Sequence, residues 1–120
     1  MEKGAIKKLL GLDKEKFILN QNVDFSFTSL KGQIVTSYQI IESIFGPPID
    51  GDCKTSGIWL FENRETKEIF TLYDWKETSL YDQALPSVEE FRKSNSKLTF
   101  CIGGRTNCSE FKLWLESKLG

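Results

Sequence analysis

The residues best suited to chemistry stand at Ile102-Gly103-Gly104-Arg105-Thr106-Asn107-Cys108, where an apolar run meets two glycines, a cation and a helix-capping asparagine. Glycine lets backbone N–H groups approach a ligand closely. A helix start adds unpaired donors and partial positive charge, and a guanidinium grips a phosphate through two parallel hydrogen bonds. Gly103, Gly104, Arg105 and Thr106 therefore form a candidate anion site. The competing reading is a tight strand-to-helix turn with Arg105 in solvent, because short glycine motifs match by chance and neither a Walker A nor a GxGxxG pattern is present. A second candidate is Thr71-Leu72-Tyr73-Asp74-Trp75-Lys76. Alternation puts Tyr73 and Trp75 on one strand face with Lys76 just beyond the strand end, a shelf on which a nucleobase stacks while an ammonium meets a phosphate. Lys54, in the Gly51-Asp52-Cys53-Lys54 loop, is a further cation for the same ligand. The alternative place for Tyr73 and Trp75 is the core, where strand aromatics usually go.

No catalytic arrangement stands beside these candidates. The chain has no histidine, which removes Ser-His-Asp and Cys-His nucleophile pairs and His-ligated metals. Asp50 and Asp52 lack the further spaced oxygen ligands of a calcium loop, and Glu89-Glu90 reads as a helix-start charge preference. Cys53, Cys101 and Cys108 are odd in number and lack CxxC spacing, so they read as buried thiols, outside any disulfide framework or zinc site. No catalytic residue, metal ligand or cofactor is assigned.

The elements that must position the candidates follow from composition and periodicity. A chain of 120 residues is the size of one domain, taken as residues 1–120, and 28% charged with 39% hydrophobic residues is a folding composition. Lys+Arg 16 against Asp+Glu 17 leaves a net charge of -1, so the positive field used in duplex DNA coating is missing. The charged start and the lack of an apolar run near ~20 residues predict a soluble, cytosolic protein without a membrane partner. Ile6, Leu9 and Leu10 before Gly11 suggest a short helix within residues 1–12. Alternation over Lys16 to Leu19 and Val23 to Val35 predicts two or three short strands. Thr36 to Gln39 has capping-box spacing for a helix that ends at Gly46-Pro47-Pro48.

Residues 49 to 56 read as a loop. Ile58-Trp59-Leu60-Phe61 then reads as a strand covered on both faces, and Glu68 to Trp75 as its hairpin partner. Ser87 to Glu90 caps a short helix, Leu98, Phe100 and Ile102 alternate as a strand, and Asn107 opens a last helix with Cys108, Phe111, Leu115 and Leu119 inward and Trp114 at the margin. The class is α+β, a mostly antiparallel sheet of about five strands with three to four short helices on one face. The second face needs a cover, and a homo-oligomer, most simply a two-fold dimer, is expected to supply it.

Taken in order, Thr28-Ser29-Leu30-Lys31-Gly32-Gln33-Ile34, Ser37-Tyr38, Phe45-Gly46-Pro47-Pro48, the Gly51-Asp52-Cys53-Lys54 loop with Trp59, Thr71 to Lys76, and Ile102-Gly103-Gly104-Arg105 resemble a family of small phage and virus proteins of unassigned or anti-defence role. The chain is similar to the phage Thoeris anti-defence sponges, which bind cyclic ADP-ribose-type immune signals and hold them without cleaving them. The resemblance implies a viral protein of the host cytoplasm, a dimer or higher homo-oligomer with pockets between subunits. Aromatics would stack the base and arginine would contact the phosphates, roles that fall on Tyr73, Trp75 and Arg105. The chain departs from the pattern at Phe100-Cys101, where a Trp-His pair is expected, and residues 77–96 have no counterpart. The expected function is non-catalytic sequestration of a small phosphorylated nucleotide of the cyclic ADP-ribose or cyclic dinucleotide class. The alternative is a viral or phage interaction inhibitor that blocks a host defence protein through exposed aromatic anchors. An enzyme is the reading the residues support least.

Overall fold

Trp59 and Phe61, Phe70 and Leu72, and Phe100 and Ile102 alternate along three neighbouring strands and so share one sheet face. The computed structural model describes residues 16–51, 54–75, 80–94 and 96–119. The helix expected within residues 1–12 and Lys76 lie outside them. The described strands are β1 (Phe17–Leu19), β2 (Ser29–Thr36), β3 (Ile49–Asp50), β4 (Gly57–Asn63), β5 (Ile69–Tyr73) and β6 (Leu98–Gly104). The helices are α1 (Tyr38–Phe45), α2 (Val88–Lys93) and α3 (Ser109–Leu119). All strand pairs are antiparallel, in the order β1-β4-β5-β6-β2, with β3 beside β1 on the outer side of β4. The chain is thus an α+β fold with a six-stranded sheet.

Local chemistry sets the element ends. Ser87 accepts the Glu90 N–H while the Glu90 carboxylate accepts the Ser87 N–H, the reciprocal cap expected for α2. For α1 the cap falls one residue later than the spacing suggested. Thr36 is held in the ladder opposite Leu98, so Ser37 turns out of the strand and accepts from Ile40 N at 3.2 Å. Gly46 closes α1 at φ 84, a conformation that spares only glycine, and donates to the Glu42 carbonyl. The Trp59 indole N–H then donates to the Gly46 carbonyl at 2.8 Å and ties that helix end to β4.

The described helices lie on one sheet face. Tyr38 and Ile41 of α1, Phe91 of α2, and Phe111 and Leu115 of α3 close over Phe17, Ile34, Trp59, Phe61, Phe70, Leu72, Phe100 and Ile102. Phe111 is the hub: its ring stacks on Phe70 at 4.8 Å and meets Phe61 at 5.2 Å and Phe17 at 5.4 Å. Trp114 sits at the margin of this cluster, as its helical position implied. No described helix is long and apolar enough to cross a membrane.

Two expectations are corrected. Ile49–Asp50, read as loop, pairs with Ile58 and Gly57 as a two-residue strand, too short to show a period. Val23, Phe25 and Phe27 alternate but form no strand; they lie in the connection between β1 and β2. Because Phe111 is fully buried among rings, Phe111→Ala is expected to cost about 3–5 kcal/mol of unfolding free energy in a denaturant titration.

Candidate functional site

β1 and β2 lie at opposite sides of the sheet, so the chain from Asn20 to Thr28 has to pass from one to the other. Its start is anchored in the gap between β1 and β3. Asn20 N donates to the Leu60 carbonyl at 2.8 Å, and Leu60 N donates to Gln21 Oε1 at 2.9 Å. Its middle is a side-chain turn: the Asp24 carboxylate accepts from Ser26 N at 2.9 Å and from Ser26 Oγ at 2.6 Å. Beyond it, Phe27 has φ 65 and is 95% exposed. Thr28 Oγ1 donates to the Phe25 carbonyl at 2.8 Å.

Arg105 holds this connection down. Its Nε donates to the Ser26 carbonyl at 2.8 Å and its Nη2 to the Asp24 carbonyl at 2.9 Å. The expected anion site is thereby taken apart in its geometry. Gly103 and Gly104 do not form an open strand-to-helix turn; they are the last residues of β6, between β2 on one side and β5 on the other. α3 starts only at Ser109, where the Asn107 side chain accepts the Ser109 N–H at 2.8 Å. Thr106 is exposed in the intervening turn. A Cβ at Gly104 would meet the Phe70 ring at 3.0 Å, so this glycine serves core packing.

Gly103 points the other way. Thr71, Tyr73 and Gly103 occupy the helix-free face, where Gly103 stands opposite Thr71 in β5 and Leu30 in β2. A Cβ there would sit 2.4 Å from Thr71 Oγ1, so only glycine leaves the space open. Above it lies a pocket of about 330 Å³. Phe25, Ile58, Tyr73 and Trp75 supply its apolar walls, and Thr28, Ser29, Thr55 and Thr71 its polar groups. The Tyr73 and Trp75 rings meet edge to face at 6.3 Å, and the Lys54 ammonium lies 5.8 Å from the Trp75 ring centre. Of the residues singled out in the sequence, Tyr73, Trp75, Gly103 and Lys54 therefore come together. Arg105 reaches the pocket through the loop it holds, and Gly104 and Thr106 do not line it.

The rim is fixed by a residue the motif reading passed over. Asp74, buried on the helix face, accepts from Ser56 N at 3.0 Å, Ser56 Oγ at 2.9 Å and Gly57 N at 3.2 Å. Arg92 of α2 donates from Nη2 to the Ser56 carbonyl at 3.1 Å while its guanidinium lies 5.4 Å from the Tyr38 ring centre. Thr55 and Trp75 flank these anchored residues and are placed by them. A carboxylate on the apolar face of a strand end was the sequence signal for such an anchor. Phe25 and Thr55 carried no comparable signal, since both sit in irregular chain.

Burial, and secondarily Cys101, pushes the Tyr73 phenol above its ordinary 10.0, so it stays neutral and can both donate and accept. None of the described lining residues is a carboxylate, thiol or amine. Among the described residues no three His, Cys, Asp or Glu groups are placed to hold a metal ion. The pocket offers ring faces, hydroxyls and a cation at its lip, which is equipment for holding a ligand. No protein-family model matches the chain, and no curated protein is similar to it in sequence. What the pocket accommodates is therefore read from its shape and lining.

Gly103→Ala is expected to cost about 1–3 kcal/mol by overpacking against Thr71, and Thr71→Ala in the same chain to recover most of it, as read in thermal or denaturant unfolding. The Ser26 hydrogen bonds, and behind them the Arg105 charge, hold the Asp24 carboxyl below its ordinary 3.8. A lowered folded value means that the turn's contribution is present above 3.8 and is lost as pH falls through the folded value. NMR of the side-chain carboxyl carbon is expected to show Asp24 titrating below 3.8, with Ser26→Ala moving the midpoint back up toward it.

Proposed function

We propose that the protein binds a small phosphorylated nucleotide without transforming it, and acts by sequestration. The observation that carries this reading is the concavity over Gly103 walled by Tyr73 and Trp75. At about 330 Å³ it lies at the small end of ligand sites and suits one base with its ribose. Ring faces stack any base, hydroxyls of Thr28, Thr55 and Thr71 with the neutral Tyr73 phenol read its polar edge, and Lys54 beside Trp75 meets a phosphate outside. Arg105 contributes indirectly here, by keeping Phe25 in place. A ligand of the cyclic ADP-ribose or cyclic dinucleotide class has a second base or sugar that would extend past the rim. Such a role fits a viral protein that removes a host defence signal in the cytoplasm, as the resemblance in the sequence implies.

The test is incubation with a nucleotide panel, removal of the protein by boiling, and analysis of what is released. Intact nucleotide is expected, and Trp75→Ala is expected to weaken binding by on the order of 10–100-fold, the worth of one base–aromatic stack. Altered nucleotide would make the protein an enzyme, and no bound nucleotide would end the reading. The second reading, an inhibitor of a host protein, is favoured by Phe27. An aromatic residue 95% exposed on a backbone with φ 65 is a costly thing to display without a surface to receive it.

A further inference from the structure

β2 is the longest strand, and among the described residues it is paired on one side only, with β6. An edge strand offers a row of backbone donors and acceptors to any extended chain, and proteins usually guard such edges with proline, inward charges or bulges. β2 has a guard over its first half alone. The register shifts between Leu30 and Gly32, where the one charged residue of the strand, Lys31, also lies. Gln33-Ile34-Val35-Thr36 is left regular, uncharged and free of proline, with Val35 63% exposed.

A groove of about 560 Å³ runs along this second half. Its floor and walls include Gln33 to Thr36, the apolar Ile40 and Leu119, Lys97 just before β6, and two opposite charges one helical turn apart on α3, Lys112 and Glu116. Opposite charges spaced along one helix are self-complementary under a two-fold axis: a second copy turned end for end sets each Lys112 against the other's Glu116. An antiparallel strand is also what the same two-fold generates from β2 itself.

We infer that two copies of this chain pair through the Gln33–Thr36 edges of β2, forming one continuous antiparallel sheet across a two-fold axis beside Val35. Val35 of each copy then packs on Val35 of the other on the helix-free face, and the Lys112 and Glu116 side chains of the two α3 helices cross-pair on the helix face. The assignment is independent of the nucleotide reading, since the groove shares no lining residue with the Tyr73–Trp75 pocket.

Sedimentation or light scattering of the full chain is expected to give twice the chain mass. Val35→Lys and Lys112→Glu are both expected to give folded monomers, with circular dichroism spectra like that of the wild type and a cooperative melting transition whose midpoint, unlike that of the wild type, does not depend on protein concentration. Lys112→Glu combined with Glu116→Lys is expected to restore the dimer, because the charge pattern is reversed but again reciprocal. A monomeric wild type at high concentration overturns the inference. So does a dimer indifferent to Val35→Lys and Lys112→Glu, or a folded double variant that stays monomeric.

Discussion

Among the described residues, helices cover only one face of this sheet, and the connection from Asn20 to Thr28 serves the other. The second face carries residues as apolar as Ile58, Leu60 and Ile69, and Leu60 is 1% exposed. A segment without regular structure can pass over them only if its backbone polar groups find partners. They find them at both ends: the Leu60 peptide takes Asn20 and Gln21, and the Arg105 guanidinium takes the carbonyls of Asp24 and Ser26. The pocket exists because this connection meets the sheet with a gap over Gly103 that no described side chain fills.

Much of the scaffold was legible because its signals are local. The Ser87–Glu90 cap, the β4–β5 hairpin and the inward stripe of Phe111 and Leu115 each follow from spacing within one element, and each is where spacing put it. Alternation failed at Val23, Phe25 and Phe27, where the Asp24–Ser26 turn outcompetes a ladder that has no partner strand to join. The α1 cap slipped by one residue for a tertiary reason, the pairing of Thr36 with Leu98, which no local pattern contains.

The site was half legible. Tyr73 and Trp75 were placed on one face because a strand's period of two places side chains without reference to the rest of the fold. Arg105 was assigned a phosphate because its neighbours in sequence are glycines; its partners in space lie 79 and 81 residues away. The glycine doublet was recognised as a place of close approach, but sequence does not say what approaches. For Gly104 it is the Phe70 ring, and for Gly103 it is the pocket itself.

β5 and the residues after it divide their duties by parity. Phe70, Leu72 and Asp74 face the helices and keep the fold, while Thr71, Tyr73 and Trp75 face the concavity. Substitution can therefore act on one set of side chains while the other is left untouched. Three alternating codons can reshape the lining of the concavity without renegotiating the hydrophobic interior.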